Sequence, residues 1–133
     1  MSAVAAKVVD ASSVIALMFD EPAGEGVALQ IEGNSLYAPA LLSFEIVNAC
    51  ATKLRRHPDL RDKILKAFAL RGHLEIETAG VDHAGVLALA ERYRLTGYDA
   101  SYLWLAQRLN TELVTLDQPL GRAAAAMGLA EPR

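Results

Sequence analysis

Four carboxylates occupy places where an acid must be explained. Asp10 and Asp117 each follow a short apolar run, Val8-Val9-Asp10 and Leu113-Val114-Thr115-Leu116-Asp117. Glu45 sits in Leu41-Leu42-Ser43-Phe44-Glu45-Ile46-Val47, a segment otherwise suited to burial. Asp99 opens Asp99-Ala100-Ser101-Tyr102-Leu103-Trp104-Leu105-Ala106, apolar almost all round and so expected near the centre. Each acid has an ordinary explanation. The aspartates could cap helices, and Glu45 could pair with an arginine or face solvent. Those explanations do not account for the set. Carboxylates brought together raise one another's pKa and cannot all ionise unaided. A hard divalent cation relieves the repulsion, and Mg²⁺ in an oxygen site keeps waters and room for a phosphate. Without a His or Cys cluster, the donor set favours Mg²⁺ or Mn²⁺ over Zn²⁺. Ser12 and Thr115 supply hydroxyls that could orient such ligands.

Something must carry these acids to one place. The chain alternates short apolar runs with helical periodicity. Strands are expected at Ala3–Val9, Ser35–Ala38, Leu74–Thr78 and Leu113–Leu116. Helices are expected from Ser12 or Ser13 to Phe19, over Ala23–Ile31 and Leu41–Leu54, from an Asp59 cap to Leu70, and over Val81–Leu95, Asp99–Leu109 and Leu120–Met127. On a helix, positions 41, 42, 45 and 49 share a face, so Leu41, Leu42 and Ala49 are expected to turn Glu45 inward. Strands separated by helices imply βαβ units, hence an α/β fold with a mainly parallel sheet covered on both faces. Ligands of such sheets lie beyond the carboxyl ends of the strands, where Asp10 and Asp117 fall.

The whole is consistent with one domain spanning 1–133. Apolar residues make up 53% and charged residues 22%, which excludes a disordered tail and leaves apolar surface for an interface. The single cysteine, Cys50, excludes a disulfide framework and suits a reducing cytoplasm. Met1–Asp10 lacks the pattern of a secretory leader, and no stretch is apolar enough for a membrane span. A net charge of −3 argues globally against nucleic acid. The charge is polarised, however: residues 53–71 carry +5, with seven of the thirteen basic residues. That stretch reads either as a solvated helical face or as a landing strip for a polyanion, with Arg55, Arg56 and Arg61 as candidate contacts.

Other features carry little. His57, His73 and His83 show no ligand spacing. Cys50 has no CxxC partner and suits a core position. Gly24-Glu25-Gly26 follows no strand and is no dinucleotide fingerprint. Tyr102 and Trp104 are expected in the core or at a dimer contact. A receiver domain would need a later lysine, yet none follows Lys66, and a haloacid-dehalogenase-type phosphatase needs Asp-x-Asp where position 12 is Ser.

Four blocks, in order, resemble a PIN-domain ribonuclease of the VapC toxin type. They are Val9-Asp10-Ala11-Ser12-Ser13, Ala38-Pro39-Ala40-Leu41-Leu42-Ser43-Phe44-Glu45, Leu95-Thr96-Gly97-Tyr98-Asp99-Ala100 and Val114-Thr115-Leu116-Asp117-Gln118-Pro119. The resemblance implies a three-layer α/β/α fold and an acidic quartet of Asp10, Glu45, Asp99 and Asp117. It further implies RNA cleavage with Mg²⁺ or Mn²⁺, homodimerisation, and a cognate VapB-like antitoxin. The competing expectation is a non-catalytic PIN-like module that docks a protein partner.

Overall fold

The computed structural model describes residues 5–130. Four parallel strands form one sheet in the order β3-β2-β1-β4: β1 is Ala6–Val9, β2 Ser35–Pro39, β3 Ile76–Ala79 and β4 Glu112–Val114. Seven α-helices connect and flank them. These are α1 (Ala11–Met18), α2 (Gly24–Ile31), α3 (Leu42–Arg56), α4 (Arg61–Leu70), α5 (His83–Tyr93), α6 (Gly97–Leu109) and α7 (Gln118–Ala126).

Chain direction dictates the layers. From β1 to β2 to β3 the chain steps one way along the sheet, and from β3 to β4 it returns past β2 and β1. Parallel crossovers are right-handed, so α1–α4 cover one face and α5–α6 the other. The packing agrees. Helix α6 lies on β1, β2 and β4 and against α5 and α7, whereas α1 meets α2, α3 and α4. This is the expected three-layer α/β/α arrangement. The reversal places a crevice at the carboxyl ends of β1 and β4, which pair with Val9 opposite Val114.

Burial on both faces explains the composition. Val8, Val9, Leu103 and Leu120 have at most 1% of their surface exposed, and burying each such side chain stabilises the fold by roughly 1.5–3 kcal/mol. Helix α6 is the central one, as its nearly continuous apolar run required. Gly85 sets the contact between α5 and α6, because a Cβ there would lie 2.4 Å from Trp104 Nε1.

Several boundaries differ from expectation, each for a capping reason. The start expected for β1 at Ala3 lies outside the described residues. Ser12 and Ser13 lie inside α1, whose cap is Asp10. Asp59 does not cap α4, because Pro58–Leu60 forms a 3₁₀ turn first. Strand β3 starts at Ile76 rather than Leu74, since Leu74 N–H donates to the Arg71 carbonyl and closes another 3₁₀ turn. Asp82 caps α5 through the Gly85 N–H, and Arg94 ends it in the left-handed conformation. Thr96, not Asp99, caps α6, and Asp117 starts α7 before Leu120.

Candidate active site

Asp10 leaves β1 at its carboxyl end and is 4% exposed. Its Oδ1 accepts from Ser12 Oγ at 2.8 Å and from the Ser13 N–H at 3.0 Å. Its Oδ2 accepts from Thr115 Oγ1 at 2.5 Å. These donors take up most of the roughly four lone-pair sites a carboxylate offers and fix its orientation. Burial pushes the carboxyl above its ordinary range, against the pull of the donors from Thr115, Ser12 and Ser13.

Ser12 and Thr115 tie β1 to the segment after β4. Ser12 Oγ accepts from the Leu116 N–H at 2.9 Å, and Thr115 Oγ1 accepts from the Asp117 N–H at 3.0 Å. Ser13 Oγ adds a buried bond to the Val114 carbonyl at 2.9 Å. Asp117 in turn caps α7, accepting from the Leu120 N–H at 3.0 Å.

Glu45 is half-buried in the first turn of α3. The face that enters the core is Leu42, Ile46 and Cys50, so Glu45 stands on its flank rather than pointing straight inward as expected. Its Oε1 accepts from the Tyr102 hydroxyl at 2.5 Å. Tyr102 therefore joins the site, although the sequence placed it in the core or at a dimer contact. The available signal was its spacing: it follows Asp99 by three residues, one turn along α6. Burial, then the bond and charge of Glu45, hold the phenol firmly protonated.

Asp99 is in the first turn of α6, where its own N–H donates to Thr96 Oγ1 at 3.1 Å. Burial raises its pKa, and the charges of Asp117 and Asp10 raise it further. Burial likewise raises Glu45, with further lifts from Asp99 and Asp10 against the lowering bond from Tyr102. Asp99 thus feels the charges of both Asp10 and Asp117, and Glu45 those of Asp99 and Asp10. Each of the four acids also stands at a helix N-terminus, whose partial positive charge offsets some of the repulsion. Among the described residues, the ion pairs Lys7–Glu112 at 2.7 Å and Lys53–Glu21 at 4.0 Å involve none of the four.

The donor set fits a hard cation in one specific way. Among the described residues, no three His, Cys, Asp or Glu side chains form a preassembled cage for an ion. Mg²⁺ needs no such cage, being held commonly by one or two carboxylates with waters in its other positions. Asp10 and Asp99, close enough that the charge of Asp10 raises the pKa of Asp99, suit that mode.

Beside the acids lies an open cleft of about 480 Å³. Ala11, Ile15, Leu41 and Ala49 give it an apolar floor, Glu45 is shared with the acidic site, and Phe44, Asn48 and Tyr98 complete the lining. Arg55 and Arg56 end α3 and Arg61 begins α4, all three exposed. At a rise of 1.5 Å per residue, Arg55 lies about 15 Å along the helix from Glu45. The histidines are exposed and dispersed, and Cys50 is buried with its thiol pKa raised by burial.

The family profile of the PIN domain matches residues 7–126. The chain belongs to the PIN-domain family. Its relatives lie among the family's VapC ribonucleases. VapC ribonuclease Mb0985 of Mycobacterium bovis is 36% identical over 83% of this chain and 84% of its own. Ribonuclease VapC3 of Pyrobaculum aerophilum is 29% identical over 85% of this chain and 90% of its own. Among solved structures, PAE2754 of Pyrobaculum aerophilum superposes with a TM-score of 0.62 at 24% identity, covering 90% of this chain and 80% of that one. Mycobacterium tuberculosis VapC20, described as a Sarcin-Ricin loop cleaving toxin, superposes at 0.61 with 15% identity, covering 96% and 99%. These structural likenesses establish the PIN fold of the chain.

Proposed function

We propose that this chain, a single PIN domain over 1–133, is a Mg²⁺- or Mn²⁺-dependent endoribonuclease and the toxin of a VapBC-type pair. The observation that carries the reading is the arrangement around Asp10. A buried carboxylate is fixed by donors from Ser12, Ser13 and Thr115, and its charge raises the pKa values of two further acids, Glu45 and Asp99. A scaffold for protein docking has no use for that repulsion.

Asp10 and Asp99 would hold the cation, with Glu45 and Asp117 completing its surroundings. When bound, the cation supplies positive charge to a phosphoryl oxygen and lowers the pKa of water. Ser12 and Thr115 hold Asp10 in one rotamer, so little reorganisation precedes the reaction. Tyr102 occupies one oxygen of Glu45 and leaves the other to accept a proton from the attacking water. The water oxygen would bond to phosphorus as the opposite P–O bond breaks, and the leaving oxygen would take a proton from solvent water while Glu45 keeps the one it accepted. Arg55, Arg56 and Arg61 would contact RNA phosphates away from the reacting centre. Replacing all three should weaken RNA binding and flatten its salt dependence.

Family membership motivates a VapB-like antitoxin as partner. The high apolar fraction of the sequence, 53%, motivates a homodimer, which light scattering tests directly. No helix among the described residues is long and apolar enough to cross a membrane, and a cytoplasmic setting fits an RNA substrate and a lone reduced thiol. The decisive experiment is cleavage of folded RNAs by the purified chain with Mg²⁺, Mn²⁺ or EDTA, beside Asp99→Asn. Metal-dependent cleavage lost in a folded Asp99→Asn supports the reading. Unchanged cleavage by that variant refutes it.

A further inference from the structure

We propose that the cleft beside Glu45 binds an unstacked nucleobase, with Phe44 and Tyr98 as stacking surfaces and Asn48 reading the base edge. The inference rests on the ribonuclease reading and extends it to substrate selection.

Phe44 is 78% exposed and Tyr98 67% exposed, the former on α3 and the latter beside Asp99 on α6. A contiguous exposed apolar patch rimmed by polar residues marks a binding site, whereas singly exposed apolar residues do not. Both line the same cleft, and Glu45 forms a wall common to the cleft and the acids. A nucleotide next to the scissile phosphate would therefore meet the cleft without leaving the site. Stacking on aromatic rings is how proteins hold splayed single-stranded bases, and hydrogen bonds to the base edge supply selectivity. Asn48 is the one uncharged polar side chain among the lining residues apart from the Tyr98 hydroxyl. Its amide both donates and accepts, as a base edge requires.

Charge gives the strand a direction. Phe44, Asn48, Thr52 and Arg55 recur at helical spacing along α3, leading from the cleft to its basic end. Arg55 Nη2 donates to Thr52 Oγ1 at 3.4 Å, which keeps the guanidinium along that stripe. Lys53 and Arg56 add positive charge in the same last turn. An acidic partner segment would gain from the basic end but would meet the carboxylates at the other. A nucleic acid strand reaches those carboxylates only where a cation bridges them, which is where cleavage is wanted.

The test uses the whole chain with Ca²⁺ as the bridging hard cation and short unstructured RNAs carrying one 2-aminopurine, whose fluorescence falls on stacking. The wild type should bind with quenching. Phe44→Leu and Tyr98→Leu keep apolar bulk without a π-face, and each should weaken binding roughly 5- to 150-fold. The double variant should lose the quenching. Asn48→Ala should keep the quenching yet even out affinity among RNAs that differ at the probed base. Thermal melts confirm that these exposed substitutions leave the fold intact. Binding without quenching, no binding by the wild type, or a double variant with unchanged affinity overturns the proposal. So does intact RNA binding in a double variant that has lost affinity for an amphipathic helical peptide, which would assign the cleft to a protein segment. A double variant that cleaves RNA with unchanged rate and pattern refutes the cleft while the nuclease reading stands. Quenched binding without cleavage in Mg²⁺ or Mn²⁺ refutes the nuclease reading while the cleft stands.

Discussion

Replacing Thr115 by valine removes one oxygen and almost no volume. That oxygen donates to Asp10 Oδ2 at 2.5 Å and accepts from the Asp117 N–H at 3.0 Å. A hydrogen bond to a buried charged group contributes about 1.5–3 kcal/mol. The Asp117 N–H, close to solvent, adds less than about 1 kcal/mol once water replaces the hydroxyl. The expected loss is therefore about 2–4 kcal/mol, a sizeable share of the 5–15 kcal/mol that typically holds a domain together. The loss must depend on pH. Burial already raises the pKa of Asp10 above its ordinary 3.8, and the Thr115 bond opposes that rise. Without the bond the pKa climbs further. A carboxyl raised in the folded state contributes stability at low pH that is lost as pH rises through its titration. The deficit of Thr115→Val relative to wild type should be small while Asp10 is protonated in both folded proteins and grow as pH rises through its raised folded-state titration. Urea unfolding in EDTA at pH 7 and near pH 4 measures this. The same variant should bind Mn²⁺ about 10- to 100-fold more weakly by calorimetry. A deficit below 0.5 kcal/mol, about the scatter of neutral surface changes, or one equal at both pH values, refutes the reasoning.

Three other perturbations probe the site and its frame. Tyr102→Phe keeps the buried ring but withdraws the bond that lowers the Glu45 pKa, so the acidic limb of the pH–rate profile should move to higher pH; an unmoved limb separates Tyr102 from Glu45. Asp99→Asn removes a charge that Asp10 and Asp117 oppose, so the metal-free protein should melt slightly higher at neutral pH. Solvent screening keeps that gain small, roughly 1–3 °C by calorimetry, and it should vanish at acid pH. Gly85→Ala sets a methyl 2.4 Å from Trp104 Nε1, and overpacking of this kind costs about 1–3 kcal/mol. RNA cleavage per folded molecule should not change, since α5 holds none of the four acids.

Periodicity made the architecture legible. Strand and helix types follow from apolar spacing, and the rule for parallel crossovers then fixes the layers. The ends of elements were less legible, because several side chains compete for each cap. Thr96 outranks Asp99 for α6, which frees the Asp99 carboxylate from capping. Pro58 builds a 3₁₀ turn that takes α4 away from Asp59. The positions of the acids could be read from the strand ends and apolar context. The linking hydroxyls were legible only as types near those acids. That Ser12 reaches the Leu116 N–H across more than a hundred residues depends on the β1–β4 register, which local sequence does not encode. Tyr102 escaped for the opposite reason: an aromatic on a central helix is expected in the core, and its ring is there, 1% exposed. Only the tip does something else.

Asp10 and Asp117 are helix caps as well as acids of the proposed site, and this gives them a distinctive mutational genetics. Alanine at a capping aspartate costs about 0.5–2 kcal/mol of stability before any chemistry is affected. Random selection for harmless variants should therefore recover these two codons by two routes, misfolding and lost cleavage. Asp99, which caps nothing, would be recovered by the second route alone, whereas loss of Glu45 also strands the hydroxyl of buried Tyr102. A reversion screen would also divide them. Stabilising changes elsewhere can restore the abundance of a weakened Asp10 or Asp117 variant, yet no such change returns its carboxylate. For separating fold from chemistry, asparagine is the informative replacement at these two codons, because its side-chain oxygen can still hold the helix end.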